Sequence, residues 1–296
     1  MEPNDETLAL RALARGLARS YSVDARPDAI LLVGSGATGA ADMYSDLDML
    51  LYYDRVPPAS EVGRTPRELG ATGYRGTSWS DERGYSERFS LDGIECQVGH
   101  VSMGSFEREI KRSVVDLEVN DELLKIMSGL FEGLVLHGDE LIERWRQQAA
   151  YTAALQRATI EERWRFFPWW YFEEKLRARD ATVWRYDVLV QSAYNIVGVL
   201  AALNGLYFSK FEFKRARTFL SRFDVAPPNL ASRLDALFDS DERRSIAELE
   251  QLVTDTQALV AERFPDLDLA LEWGGEPTPP GERASPRAGS EASPTR

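Results

Sequence analysis

Residues 30–53, ILLVGSGATGAADMYSDLDMLLYY, place two apolar runs on either side of a glycine-rich turn and leave few residues between them. AILLV (29–33) and LDMLLYY (47–53) have the length and aliphatic content of buried strands. Gly34-Ser35-Gly36-Ala37-Thr38-Gly39 has the G-x-G-x-x-G spacing of a dinucleotide-binding turn. Such a turn opens a crossover helix, and a crossover to a parallel strand takes a dozen or more residues. Only AADMYS (40–45) separates Gly39 from the Asp-x-Asp that opens the second run, too little for a helix packed across a sheet. One feature keeps the dinucleotide reading open: Asp54 lies about 20 residues after Gly34, where a ribose-binding acid would fall. A Walker-type phosphate loop fails, because Ala40-Ala41 stands where Lys and Ser/Thr are required.

A second reading uses the polar residues of the stretch. In an extended strand, side chains at i and i+2 point the same way, so Asp46 and Asp48 would project together from one sheet face. Two such carboxylates suit Mg²⁺, which takes a few carboxylate oxygens together with substrate phosphates. The Gly34-Ser35 turn could offer backbone N–H groups and the Ser35 hydroxyl to phosphate oxygens, glycine allowing the backbone a close approach.

The charge and the single cysteine narrow the field. The formal net charge is −13, which disfavours a general nucleic-acid binder and suits a cationic small molecule or a protein partner better. Cys96 alone cannot form an internal disulfide or a Cys-rich zinc site, and it fits a cytoplasmic location. The acidic start MEPNDETLAL carries no signal-peptide pattern. No uninterrupted apolar run approaches the ~18–20 residues of a membrane span, so no membrane association is expected.

Along the chain, residues 6–22 have helical spacing, with Leu8, Leu10, Leu13 and Leu17 near one face. Residues 54–82 are rich in Pro, Gly, Arg and Ser and read as an irregular excursion. Residues 88–102 read as a hairpin turning at Asp92-Gly93, and Ser105 is the expected cap of the helix that follows. From about residue 119 to 263 helical periodicity dominates and strand signals disappear. The Pro/Gly/Ser-rich stretch after Trp273 is expected to be a disordered tail. The expectation is an α+β protein: an N-terminal domain with a small mixed sheet (1–118), a C-terminal helical bundle (119–273) and a tail (274–296).

VGSGATGAADMYSDLDMLL resembles the signature of the nucleotidyltransferase superfamily, the DNA polymerase beta-like fold, with Gly34, Ser35, Ala37, Gly39, Ala41, Ser45, Asp46 and Asp48 all in place. LVLHGDELIERW (134–145) resembles a segment after the core in small-molecule nucleotidyltransferases, and ALNGLYFSKFEFKR (202–215) is similar to a helical-domain stretch of some aminoglycoside- and lincosamide-type adenylyltransferases. The resemblance implies transfer of a nucleoside monophosphate, AMP from ATP, to a hydroxyl of a small-molecule acceptor, with release of pyrophosphate. It implies two Mg²⁺ ions held by Asp46, Asp48 and a third carboxylate on a neighbouring strand. Glu95 is the candidate, although the family usually has Asp there; it would complete a metal site or deprotonate the acceptor. Gly34, Ser35 and Ser45 would serve the nucleotide, and Lys210 and Lys214 would meet its phosphates from the helical part. Two alternatives stand beside this one: the same chemistry on a protein or RNA, or a non-catalytic nucleotide-binding module of the same fold.

Overall fold

The computed structural model describes residues 3–75, 80–81, 83–177, 179–239 and 241–271. The expected tail at 274–296 lies outside the described residues. In chain order the elements are α1 (Asp5–Asp24), β1 (Ala29–Val33), α2 (Gly34–Thr38), β2 (Leu47–Tyr53), α3 (Ala59–Val62), α4 (Arg64–Glu68), β3 (Thr72–Arg75), β4 (Ser80–Asp81), β5 (Gly84–Leu91) and β6 (Ile94–Ser102). There follow α5 (Met103–Val114), α6 (Asp121–Glu132), β7 (Leu134–His137), α7 (Asp139–Gln148), α8 (Ala153–Arg163), α9 (Trp169–Tyr171), a π-helical turn (Phe172–Arg177) and α10 (Thr182–Leu203). A 3-10 segment (Lys210–Arg215), α11 (Ala216–Leu220), α12 (Leu230–Ala236) and α13 (Glu242–Arg263) complete the described chain.

The protein is α+β, with a mixed sheet in the order β3-β5-β6-β2-β1-β7 and β4 paired to β5. β2 and β6 run parallel, and the other pairs are antiparallel. The antiparallel pairing of β1 with β2, Val33 opposite Asp48 and Ala29 opposite Tyr52, removes the dinucleotide reading, which needs a parallel pair. Asp54, at the far end of β2, is six extended residues from Asp48, roughly 20 Å, so it cannot serve the glycine turn.

Chain alternation divides the core into two layers. Ile30, Leu32, Leu47, Met49, Leu51, Cys96 and Val98 pack on one sheet face with Leu10, Ala14, Leu17 and Tyr21 of α1. Leu31 and Tyr52 pack on the other face with Phe106 of α5, Leu124 and Met127 of α6, and Trp145 of α7. Leu8, expected on the apolar face of α1, is exposed, because the buried stripe runs through Thr7, Leu10, Ala14, Leu17, Ala18 and Tyr21 at helical spacing.

Three other local expectations change. Ser102, not Ser105, caps α5: its side chain accepts from the Ser105 N–H, because the chain leaves β6 and enters the helix without a linker. A strand lies in the region expected to be helical, β7, which pairs with the edge of β1. Residues 54–75 hold the short helices α3 and α4 and the strand β3, while residues 76–79 and 82 of that stretch lie outside the described residues. The hairpin is as expected and longer: Asp92 and Gly93 both have positive φ, 52° and 80°, as its two-residue turn requires.

The described residues form two compact units, those within 1–163 and 197–225, and those within 164–196 and 226–271. Position 118/119 falls inside the first unit, between α5 and α6, which pack on the same sheet face. The described residues of the second unit are helical and contain no strand. Its aromatic run supplies core: Trp164, Phe166, Tyr171 and Phe172 are buried. In this unit Arg233 reaches Glu248 at 2.5 Å and Asp255 at 2.7 Å. α10, shared between the units, has 22 residues and is long and apolar enough to cross a membrane by length and composition; 78% of its apolar window is buried inside the protein. Its Gln, Ser, Asn and Tyr residues interrupt the run and hide that length in the sequence.

Candidate active site

The site is set by the turn between β1 and β2. Gly34 takes φ +71° and Gly39 φ +84°, so one short helical turn begins and ends on left-handed glycines. α1 holds that turn from behind. Arg11 donates from Nε to Gly36 O at 2.9 Å and from Nη2 to Ala37 O at 2.7 Å, and Asn4 donates to Ala41 O at 2.8 Å.

Asp48 follows on the sheet face shared with Leu50 and Tyr52, with Asp46 just before the strand and within its field, while Leu47 and Met49 point into the layer under α1. Asp46 accepts from Gln97 Nε2 at 3.1 Å, and Gln97 is the β6 partner of Asp48 in the parallel register. A Cβ placed on Gly34 would meet Asp48 Oδ2 at 3.1 Å, so backbone and carboxylate are in close approach. Burial, and then the charge of Asp46, push the Asp48 carboxyl up to about 6; Lys125, Lys214 and Arg88 act in the opposite direction.

Extending the register by one position brings Glu95 alongside Asp46. Its carboxylate is half exposed and pairs with Arg88, Nε to Oε1 at 3.2 Å. Among the described residues, no three His, Cys, Asp or Glu side chains are grouped closely enough to hold an ion, so the structure brings together the Asp pair and leaves Glu95 on its arginine.

The other expected residues divide in the same way. Gly34 is exposed and Ser35 half exposed at the mouth of the turn. Ser45 is engaged locally: its hydroxyl accepts from the Asp42 N–H at 2.9 Å and donates to Asp42 Oδ1 at 3.1 Å, and Asp42 pairs with Arg215 at 2.7 Å. Lys210 and Lys214 lie in the 3-10 segment, where residues four apart point about 120° from each other. Lys214 falls within the field of Asp48 and Lys210 is not among the groups that shift it.

Lys125, on α6, is a residue the sequence did not single out. Its Nζ lies 4.3 Å from the Phe211 ring centroid and that of Lys214 lies 5.6 Å from it, so two cations flank one aromatic ring. On the opposite sheet face the buried His100 meets Glu87 at 3.0 Å and Tyr53 at 2.9 Å.

A mixed sheet, a glycine turn, a carboxylate pair and facing lysines form an arrangement suited to a metal-bound polyphosphate. The chain is similar to several solved structures. A nucleotidyltransferase-like protein from Exiguobacterium sibiricum 255-15 is 14% identical, with 86% of this chain and 80% of that one covered, at a TM-score of 0.34. A cytoplasmic RNA terminal U-transferase is 21% identical over 44% of this chain and 39% of its own, at a TM-score of 0.28. The Cid1 poly(U) polymerase with MgGTP bound is 20% identical over 44% and 42%, at a TM-score of 0.28. The chain thus spans about two-fifths of the length of these last two. No family model and no curated protein matches it.

Proposed function

We propose that the protein is a metal-dependent nucleotidyltransferase, moving AMP from ATP to a hydroxyl of a small-molecule acceptor and releasing pyrophosphate. The observation that carries this is the Asp46–Asp48 pair: two acids at the head of β2, one of them desolvated, backed by Gly34 and faced by Lys125 and Lys214. Like carboxylates so placed repel each other unless a cation joins them, and the donor set is the oxygen set that Mg²⁺ prefers.

Asp46 and Asp48 would hold Mg²⁺, which neutralises triphosphate charge and polarises the reacting phosphoryl group. Gly34 keeps the backbone low enough for a phosphate to approach, and the Ser35 hydroxyl stands beside it as a donor. Lys125 and Lys214, both against the Phe211 ring, take up phosphate charge. Glu95, once released from Arg88, accepts the proton of the acceptor hydroxyl or completes a second ion's shell. Positioning and charge neutralisation carry most of such a reaction.

The test is pyrophosphate release from each nucleoside triphosphate with Mg²⁺ and a panel of aminoglycosides, lincosamides, proteins and tRNA. Release with a small molecule that disappears in Asp46→Ala/Asp48→Ala supports the proposal. Release only with tRNA or protein moves the acceptor to that class. No release with any acceptor, or equal release by the double variant, overturns the enzyme.

A further inference from the structure

A cavity of about 210 Å³ opens in the first unit between α6 and the chain that follows α10, with Ser128, Phe131, Glu132, Tyr151, Tyr207 and Arg222 in its lining. Three aromatic rings form one wall. Tyr207 stacks on Phe131 with centroids 5.5 Å apart and meets Tyr151 at 4.7 Å. The Tyr207 hydroxyl donates to Ala149 O at 2.8 Å and that of Tyr151 to Thr159 Oγ1 at 2.9 Å. Both phenol oxygens are tied into the fold, so the rings are what these side chains offer to the cavity.

The rest of the lining is charged unevenly. Glu132 is paired with Arg222. Glu212 stands behind the lining Ser128, whose hydroxyl is 3.4 Å from Glu212 Oε1. Arg222 is committed to Glu132 and reaches Glu212 only through its field. Burial first, and then the charge of Glu132, push the Glu212 carboxyl up to about 7, against the pull of Arg222 and Ser128. The region is short of one positive charge, and ring faces beside a carboxylate attract organic cations. The volume is below the ~300 Å³ at which drug-sized sites begin, so one ring or a short chain fits and a whole nucleoside triphosphate does not.

We propose that this cavity binds a small organic ammonium, seated against the exposed Phe131 ring with its charge toward Glu132 and, behind Ser128, Glu212. The site needs no nucleotide and stands independently of the transfer reading. Its ligand class is a singly charged amine carrying one ring or a short chain.

The probe is benzylammonium, titrated calorimetrically into the full chain at pH 8 and low salt, with benzyl alcohol and benzoate as neutral and anionic controls. One benzylammonium binds per chain, and neither control does. Glu212→Gln removes the charge behind the cavity wall and weakens binding about tenfold, a loss of ~1.4 kcal/mol. Phe131→Leu, at a partly exposed ring, weakens it independently. Asp46→Asn/Asp48→Asn leaves it unchanged, which separates this site from the proposed nucleotide site. Absence of binding, equal binding of benzyl alcohol, full affinity in both cavity variants, or displacement by adenosine would each overturn the inference.

Discussion

Gly34 stands against the carboxylate of Asp48: a methyl group at Gly34 would lie 3.1 Å from Asp48 Oδ2. The residue also has φ +71°, a left-handed conformation that costs a residue with a Cβ about 1–2 kcal/mol. Gly34→Ala therefore shifts the turn away from the pair. Nucleotide transfer should fall at least about tenfold, while the melting temperature falls only by the ~2–4 °C per kcal/mol of a chain this size. Steady-state kinetics beside a thermal melt check this; unchanged kinetics would mean that the close approach serves packing alone.

The lysines make a sharper test, because three of them give different expectations. Lys125 and Lys214 both pull the Asp48 carboxyl down and both flank Phe211; Lys210 does neither. Replacing Lys125 or Lys214 by Ala should raise the KM for the triphosphate roughly five- to tenfold, the loss of about 1–1.4 kcal/mol of charge-assisted contact. Lys210→Ala should leave it within twofold. A larger effect at Lys210 than at Lys125 would reject the assignment of the phosphate side.

These lysines also show what could be read from the chain and what could not. The β1-turn-β2 unit is local: strand length, glycine spacing and the i, i+2 rule place Gly34, Asp46 and Asp48 from some twenty consecutive residues. Gln97 was within reach too, since it alternates with Glu95 on the same face of β6. Lys125 was not, because α6 meets the site only through packing on a sheet that the sequence does not draw. β7 escaped for a related reason: four residues cannot show a period, and their partner strand lies about a hundred residues earlier. The unit boundary is non-local as well, because 197–225 returns to the first unit after an excursion into the second. Lys210 and Lys214 are four apart, a spacing that would put both on one face of an α-helix, but here the turn is 3-10 and Lys214 alone of the two falls within the field of Asp48.

Arg11 holds the glycine turn without facing its mouth. Its two hydrogen bonds, to Gly36 O and Ala37 O, tie α1 to the segment that sets the height of Gly34. Arg11→Ala leaves both carbonyls without that donor, a loss of about 1–2 kcal/mol, and should lower the melting temperature by several degrees. It should also raise the KM for the triphosphate, with little effect on kcat once substrate is bound. Arg11→Lys should restore only part of the loss, because an ammonium cannot reproduce the guanidinium fork. Full rescue by Lys would show that only the charge matters.

Glu212 gives the pH signature. Its carboxyl is raised from an ordinary 4.5 to about 7 by burial and by Glu132, so the folded protein favours the protonated form. A raised carboxyl contributes its full stability below the unfolded value near 4.5, and that stability is lost as pH climbs through about 7. The wild type should therefore weaken between pH 4.5 and 8 by on the order of 2–3 kcal/mol relative to Glu212→Gln, which carries no charge at any pH. Urea midpoints measured for both proteins at pH 4 and pH 8 read this directly. The two curves should lie close together at pH 4, and the variant should be the more stable at pH 8. A constant gap across that range would mean that Glu212 titrates no differently in the folded and unfolded chains.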